Sequence, residues 1–372
     1  MKRLAVLCAV AFLGTAGSAS AAAPELQARE WLLENPATGE VLAQHDATLR
    51  VPIASITKLM TVLVALDHEK LTDVVSVDPQ VTTVGQESIE LRPDELITVG
   101  DLVKGALIQS ANDAADALAL SVAPSFTAFA SLMNEKAHEL GLDDSNFVRP
   151  DGLDAPGEYS TARDVTRLAL DAMRNSVIRQ TVGETTDEIS GGRTLHTWND
   201  LLGVVPGVFG VKTGHTSLAG WGQVIAVHAN DVTLYVTILG SPSRTQRNDD
   251  LERLVAWGLD QYRVVEAISP SRSYAEVELP FGRAPLQLVA RSSQFDRVLL
   301  GETLTQRVVA PVALSLPVRQ GEIVGRIEVW SGKKLIGTRV LVADRSVRRP
   351  DAMGRIRWYA KRMLHHFAGF FE

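Results

Sequence analysis

Pro52-Ile53-Ala54-Ser55-Ile56-Thr57-Lys58-Leu59-Met60-Thr61 sets a hydroxyl and an amine three residues apart, just after a proline, where a helix is due to begin. The apolar residues Leu59, Val62, Leu63 and Leu66 then recur at helical spacing to about Lys70, so Ser55 and Lys58 share one face of the first turn. Backbone N–H groups at a helix start lack intrahelical partners, and a nucleophile among them sits beside an oxyanion site. By itself the spacing is a weak signal. Ser331-Gly332-Lys333-Lys334 has it too, in a Gly-containing segment between strand-like runs, and reads as a plain β-turn.

The first copy gains weight from its company. Ser110-Ala111-Asn112 offers a second hydroxyl and an amide between two helical stretches, and Lys212-Thr213-Gly214 opens a β-rich run with a cation, a hydroxyl and a residue lacking Cβ. S-x-x-K, S-x-N and K-T-G, in this order and 55 and 102 residues after the preceding motif, form a set known from penicillin-binding proteins and class A β-lactamases, with S-D-N as a variant of the middle motif.

Around these motifs the texture is mixed. Trp31 to Glu34 and Glu40 to Ala43, joined by Asn35-Pro36-Ala37-Thr38-Gly39, read as a hairpin. Residues 55–180 read as mostly helical, with Thr98 and Asp101 as a capping pair and Asn112-Asp113 as a candidate cap for the next helix. Trp221 to His228 and Val232 to Leu239 read as a second hairpin about Ala229-Asn230-Asp231. After Tyr262 short Val/Leu-rich runs punctuated by Gly and Pro suggest a small all-β module over 265–348.

With Gln109-Ser110-Ala111-Asn112-Asp113-Ala114, Tyr159-Ser160-Thr161-Ala162-Arg163-Asp164, Gly210-Val211-Lys212-Thr213-Gly214-His215-Thr216 and Ala219-Gly220 added, the chain resembles, over nearly its whole length, the low-molecular-mass penicillin-binding proteins of the serine D-alanyl-D-alanine carboxypeptidase family, peptidase family S11. The resemblance implies an α+β fold: a penicillin-recognising, serine transpeptidase/β-lactamase-like domain over 24–264, with an antiparallel sheet flanked by helices, followed by the β-rich domain. Its implied activity is removal of the terminal D-alanine from peptidoglycan stem pentapeptides through an acyl-serine, with β-lactams as covalent inhibitors. No cofactor is implied.

The roles follow the chemistry. A seryl hydroxyl attacks once a neighbour takes its proton, so Ser55 is the expected nucleophile and Lys58, if neutral, the general base. Burial and the nearby Lys212 would both favour the neutral amine. Ser110 would relay a proton to the leaving D-alanine, Asn112 would hold the substrate backbone, and Lys212 and Thr213 would bind the terminal carboxylate. Gly214 lets the strand approach the substrate, which would lie along the strand edge. By family analogy the oxyanion hole is the backbone N–H groups of Ser55 and His215, leaving the His215 ring as a pocket wall. Arg247 matches a family arginine that helps hold the carboxylate, against the plain alternative of a solvated helix-start arginine. Two departures stand out: Ser-Ala-Asn where relatives often have Ser-Gly-Asn, and Asp151-Gly152-Leu153 where many have His-Gly-Leu.

The two ends of the chain carry addressing signals. Lys2 and Arg3, the apolar run Leu4 to Leu13 and Ala19-Ser20-Ala21 read as a cleaved secretory signal over 1–21, which implies export. The single cysteine, Cys8, lies inside it, so thiol and disulfide chemistry are not expected of the mature protein. On a helical wheel of 353–371, Met353, Ile356, Tyr359, Ala360, Met363, Leu364, Phe367, Phe370 and Phe371 fall within roughly 140°. Arg355, Arg357, Lys361 and Arg362 lie outside that arc, and Trp358 also falls on the polar side. Residues 349–372 thus read as an interfacial anchor helix on the periplasmic face of the cytoplasmic membrane, the alternative being a helix docked on its own protein.

Composition narrows the field. In 372 residues, 45% hydrophobic and 22% charged content fits a globular chain of about two domains. Residues 345–372 hold seven basic and two acidic side chains, while 24–344 hold 28 basic and 42 acidic, a body that repels nucleic acid. The eight histidines are scattered, without H-E-x-x-H, so no metal is expected. Two other readings compete: a β-lactamase, for which no equivalent of the class A deacylating Glu is evident, and a non-catalytic cell-wall binder, which has no reason to keep Ser55, Lys58 and Lys212 together.

Overall fold

The computed structural model describes residues 10–13 and 22–368. The expected leader therefore lies outside the described residues except for Val10–Leu13, and the wheel positions Phe370 and Phe371 lie outside them as well. Contacts divide the chain into two compact units, with the division between Asp260 and Gln261.

The first unit is built on a five-stranded antiparallel sheet. Its strands are β1 (Glu30–Asn35), β2 (Glu40–His45), β3 (Val208–Thr216), β4 (Gly220–Ala229) and β5 (Val232–Ser241), in the spatial order β2-β1-β5-β4-β3. Both expected hairpins are present. The turn between β4 and β5 has Asn230 and Asp231 at φ 53° and 61°, the two left-handed residues that let a two-residue turn match the strand twist. β3 is an edge strand, paired with β4 alone.

Besides a short helix at Ser176–Thr181, the helices are α1 (Lys58–His68), α2 (Val99–Lys104), α3 (Asn112–Val122), α4 (Phe126–Leu140), α5 (Ala162–Ala172) and α6 (Arg244–Asp260). Successive strand side chains face opposite ways, and that alternation places the layers. Thr237 of β5 meets Thr166 of α5 through a buried 2.7 Å hydroxyl contact. Leu234 of the same strand packs beside Gly258 of α6, where an added Cβ would meet its Cδ1 at 3.0 Å. The helices therefore cover both faces of the sheet. The α1 side chains Leu59, Met60, Val62 and Val64 are buried in the main core with Leu102, Leu118, Phe129 and Leu168, each burial contributing about 1.5–3 kcal/mol.

Three local readings need correction or addition. Thr98 does cap α2, accepting from the Asp101 N–H at 3.1 Å, but Ala111 occupies the cap position of α3 and Asn112 is its first residue, its amide turned to other partners. The mostly helical stretch 55–180 also contains a short strand pair, Val74–Ser76 with Leu96–Thr98. The second unit begins earlier than residue 265: α6 ends at Asp260 and the next strand starts at Tyr262.

The second unit is all-β apart from its last helix. It contains β6 (Tyr262–Ile268), β7 (Ser273–Val277), β8 (Leu286–Ala290), β9 (Gln294–Leu299), β10 (Leu304–Val309), β11 (Ile323–Ser331) and β12 (Lys334–Ala343). β10, β11, β12, β8 and β7 form one sheet in that order, Val10–Leu13 pairs along the outer side of β10, and β6 pairs with β9. Ile268, Val277, Leu286, Leu288, Ile327, Val329 and Leu341 form its core. Ser331 and Lys334 close the β11–β12 hairpin, so that S-x-x-K is the turn its glycine suggests. Helix α7 (Ala352–Ala368) follows. Trp358 rests edge-on against Phe281, 5.6 Å between ring centres, while Met353, Ile356 and Met363 are exposed.

Candidate active site

Ser55 lies in a 3₁₀ turn, Ala54–Thr57, that runs directly into α1. Ala54 holds φ 51°, a left-handed conformation that costs a non-glycine residue on the order of 1 kcal/mol and throws the next side chain outward. Two glycines fit closely against this turn. A Cβ on Gly152 would meet the Ala54 carbonyl oxygen at 2.2 Å, and its φ is 75°; a Cβ on Gly214 would meet the Ile53 carbonyl oxygen at 2.5 Å. The loop after Arg149 and the edge strand β3 can therefore press against the turn that carries Ser55 only without side chains at these points.

The Lys58 ammonium nitrogen is wholly buried and lies 2.7 Å from Ser55 Oγ, 2.8 Å from Asn112 Oδ1 and 2.6 Å from the Asp151 carbonyl oxygen. Burial lowers its pKa to about 8, against the pull of Asp151, Asp116, Glu87 and Asp113. Asn112 also donates from Nδ2 to the Gly85 carbonyl at 2.9 Å, and its N–H donates to the Glu87 carbonyl at 2.8 Å. One side chain thus spans Lys58 and the 85–87 loop, which is why it does not cap α3.

Ser110 sits at φ 62° between a π-turn, Gly105–Gln109, and α3. Its Oγ accepts from Lys212 Nζ at 2.7 Å, and Lys212 donates as well to the Thr213 carbonyl at 3.1 Å. The Lys212 amine is driven well below its ordinary range, first by burial and then by the neighbouring Lys58. Ser55, Ser110, Asn112, Thr213, Gly214, His215 and Arg247 line one pocket of about 130 Å³. The His215 ring stacks on Trp221 with 3.9 Å between centres, as a wall of that pocket.

Arg247 is 1% exposed, which excludes a solvated surface arginine. Its guanidinium pairs with Asp200 at 2.9 Å and bonds the Asn248 amide oxygen, and burial lowers its pKa to about 10. Asp200 in turn is lowered to about 2, chiefly by its hydrogen bond from Arg244. Sequence reading missed Asp200, as it missed Glu87, Trp198 and Trp221, all beside the predicted residues in or next to the pocket. No local pattern marks them. The recruiting contact of Arg247 with Asp200 spans 47 positions.

The arrangement suits acyl transfer to a serine. It offers a hydroxyl on a buried amine of lowered pKa, a second hydroxyl–amine pair beside it, and a buried guanidinium and lysine for a carboxylate. Among the described residues no group of three or more His, Cys, Asp or Glu side chains is placed to hold a metal ion.

Comparisons agree with this chemistry. The family model described as peptidase S11, D-alanyl-D-alanine carboxypeptidase, matches residues 17–243. D-alanyl-D-alanine carboxypeptidase DacC of Escherichia coli is 32% identical over 373 residues, covering 93% of this chain and 91% of the relative. DacA of the same organism is 28% identical over 366 residues, covering 93% and 90%. Among solved structures, penicillin binding protein 5 of Haemophilus influenzae superposes with a TM-score of 0.63 at 24% identity over 88% of this chain and 99% of that one. The Streptomyces K15 DD-transpeptidase gives 0.61 at 29% identity over 64% and 99%.

Proposed function

The chain belongs to the peptidase S11 family of D-alanyl-D-alanine carboxypeptidases, and from that premise we propose how its own residues remove the terminal D-alanine of peptidoglycan stem peptides. The observation that carries the mechanism is the 2.7 Å contact between Ser55 Oγ and the buried, lowered amine of Lys58. Neutral Lys58 takes the hydroxyl proton as Ser55 Oγ bonds to the penultimate D-alanine carbonyl carbon. The oxyanion points to the N–H groups of Ser55 and His215. When the peptide bond breaks, the proton passes from Lys58 by way of Ser110 to the departing D-alanine nitrogen. Water then attacks the ester with Lys58 as base, freeing Ser55 and the shortened peptide.

Thr213, Lys212 and Arg247 hold the terminal carboxylate, and the peptide lies along the outer edge of β3. A β-lactam carries its acid group into the same cradle and acylates Ser55. D-alanine release from a peptide ending in Lys-D-Ala-D-Ala tests the reading: the mature protein is expected to release it, and Ser55→Ala to release none. Release by the variant at the unaltered rate overturns Ser55 as nucleophile.

The protein works outside the cytoplasm, at a membrane surface. The motif at 1–21 supports export. Helix α7 supports surface attachment: Trp358 is fixed on Phe281 while Met353, Ile356 and Met363 remain exposed for the acyl boundary, with Arg355, Arg357, Lys361 and Arg362 for anionic headgroups. No single helix among the described residues is long and apolar enough to cross a membrane. A chain ending at Arg349 is expected to leave the membrane fraction while still releasing D-alanine; retention of the shortened chain there overturns the anchor.

A further inference from the structure

Around the buried Lys58 lies an acidic cluster whose carboxylates the mechanism above does not use. Asp116 is one turn beyond Asn112 on α3, so the two share a face of that helix. It is 1% exposed, and neither carboxylate oxygen has a hydrogen-bond partner among the described residues. Asp151 is fully buried. Its carbonyl accepts from Lys58, and its carboxylate accepts from the Leu153 N–H at 2.9 Å and pairs with Arg149 at 2.5 Å.

The charged groups around Lys58 are Asp151, Asp116, Glu87, Asp113 and Lys212. Asp113 is engaged by the N–H groups of Ile89 and Leu91 and by the Ser88 hydroxyl, Asp151 is engaged by Arg149, and Glu87 stands half-exposed in the pocket wall. Of these carboxylates Asp116 alone is buried with no hydrogen-bond partner among the described residues. An isolated buried carboxylate is costly and takes a proton instead of a charge. It ionises at this site only when an opposite charge stands nearby: Arg149 is the stronger such charge but is already paired with Asp151, which leaves the Lys58 ammonium as the charge free to respond.

We propose that Asp116 is a positioning residue for acylation, which shares one proton with Lys58 across the buried cluster and so sets the fraction of Lys58 present as free base. One arrangement is ammonium with carboxylate, and the other is amine with carboxylic acid. Both carry the same number of protons and the same net charge, and only the second accepts the Ser55 proton. Burial raises the Asp116 carboxyl as it lowers the Lys58 amine, bringing the two into one range where they titrate as a pair. Asp151 and Arg149, already matched, fix the charge on the far side of the pair.

The inference rests on Lys58 being the base, and the experiment separates the two claims. Acylation of the full chain by a fluorescent penicillin is followed from pH 5 to 10 for the native protein, Asp116→Asn, Asp116→Ala and Lys58→Ala. Asn matches the shape of the protonated acid and cannot become an anion, so the ammonium loses its counter-charge. The rising limb is expected to move to lower pH by roughly one unit. Ala removes the same charge and is expected to move it the same way, which keeps the test usable if Asn does not fold. A limb that stays in place, or a uniform loss of rate at every pH with an unmoved midpoint, overturns the proposal and leaves Asp116 a packing residue. Undiminished acylation of Lys58→Ala overturns the general-base reading itself.

Discussion

In its proposed role as general base Lys58 acts only without its proton, and burial makes that state accessible while a fixed set of acceptors holds the amine in place. With the amine lowered to about 8 from an ordinary 10.5, the free base is already half populated at about pH 8. Acylation should rise about tenfold per pH unit below that point and level above it. Lys212 sets the opposite limb. Its amine is driven well below its ordinary range, first by burial and then by Lys58, and a bound carboxylate is held best by the ammonium, so carboxylate binding favours uptake of a proton by Lys212. That uptake becomes harder as pH rises, so kcat/KM for a carboxylate substrate is expected to be bell-shaped, while a substrate amidated at its C-terminus should lose the falling limb. Equal profiles for the two substrates would contradict this role of Lys212. The residues of both limbs were legible in sequence, because S-x-x-K, S-x-N and K-T-G each fix their own local geometry. Asp116, Arg149 and Asp200 were not: their significance arises from neighbours supplied by other segments.

At the scale of elements, the site exists where a helix start, a loop and a strand edge meet with almost no spare room. Gly214 is the test of that fit. Its Ala variant would place a methyl 2.5 Å from the Ile53 carbonyl oxygen, so β3 must retreat from the turn carrying Ser55. A displacement of about 1 Å in a catalytic geometry costs about a hundredfold in rate. Gly214→Ala is therefore expected to lower β-lactam acylation by about that factor while near-UV circular dichroism still reports a packed core; a rate within threefold of native would refute the close-contact argument. Hairpins and most helices were readable from periodicity and turn residues, as at Asn230-Asp231. Asn112 misled because an asparagine at a helix start has the same sequence signature whether it caps the helix or, as here, bonds a lysine from α1. The π-turn at Gly105–Gln109 left no signature, although it delivers Ser110 to Lys212.

For the molecule as a whole, the sequence carried the order of parts better than their borders. The change from mixed helix and strand to Val/Leu-rich β runs was visible, yet α6 passes into β6 with only Gln261 between them, so no Pro- or Gly-rich linker marked the border. Trp358, out of place on a helical wheel, is explained by Phe281, a partner 77 positions away in sequence. The contacts that complete the active site are longer still for one pair: Lys58 bonds Asn112 across 54 positions and Lys212 bonds Ser110 across 102. Loop closure over such spans is slow relative to forming local helix. During refolding from urea, penicillin labelling of Ser55 should thus lag behind recovery of the far-ultraviolet helical signal, and simultaneous recovery would argue against it. A newly made chain would pass through an interval in which it is already largely helical yet invisible to the antibiotic.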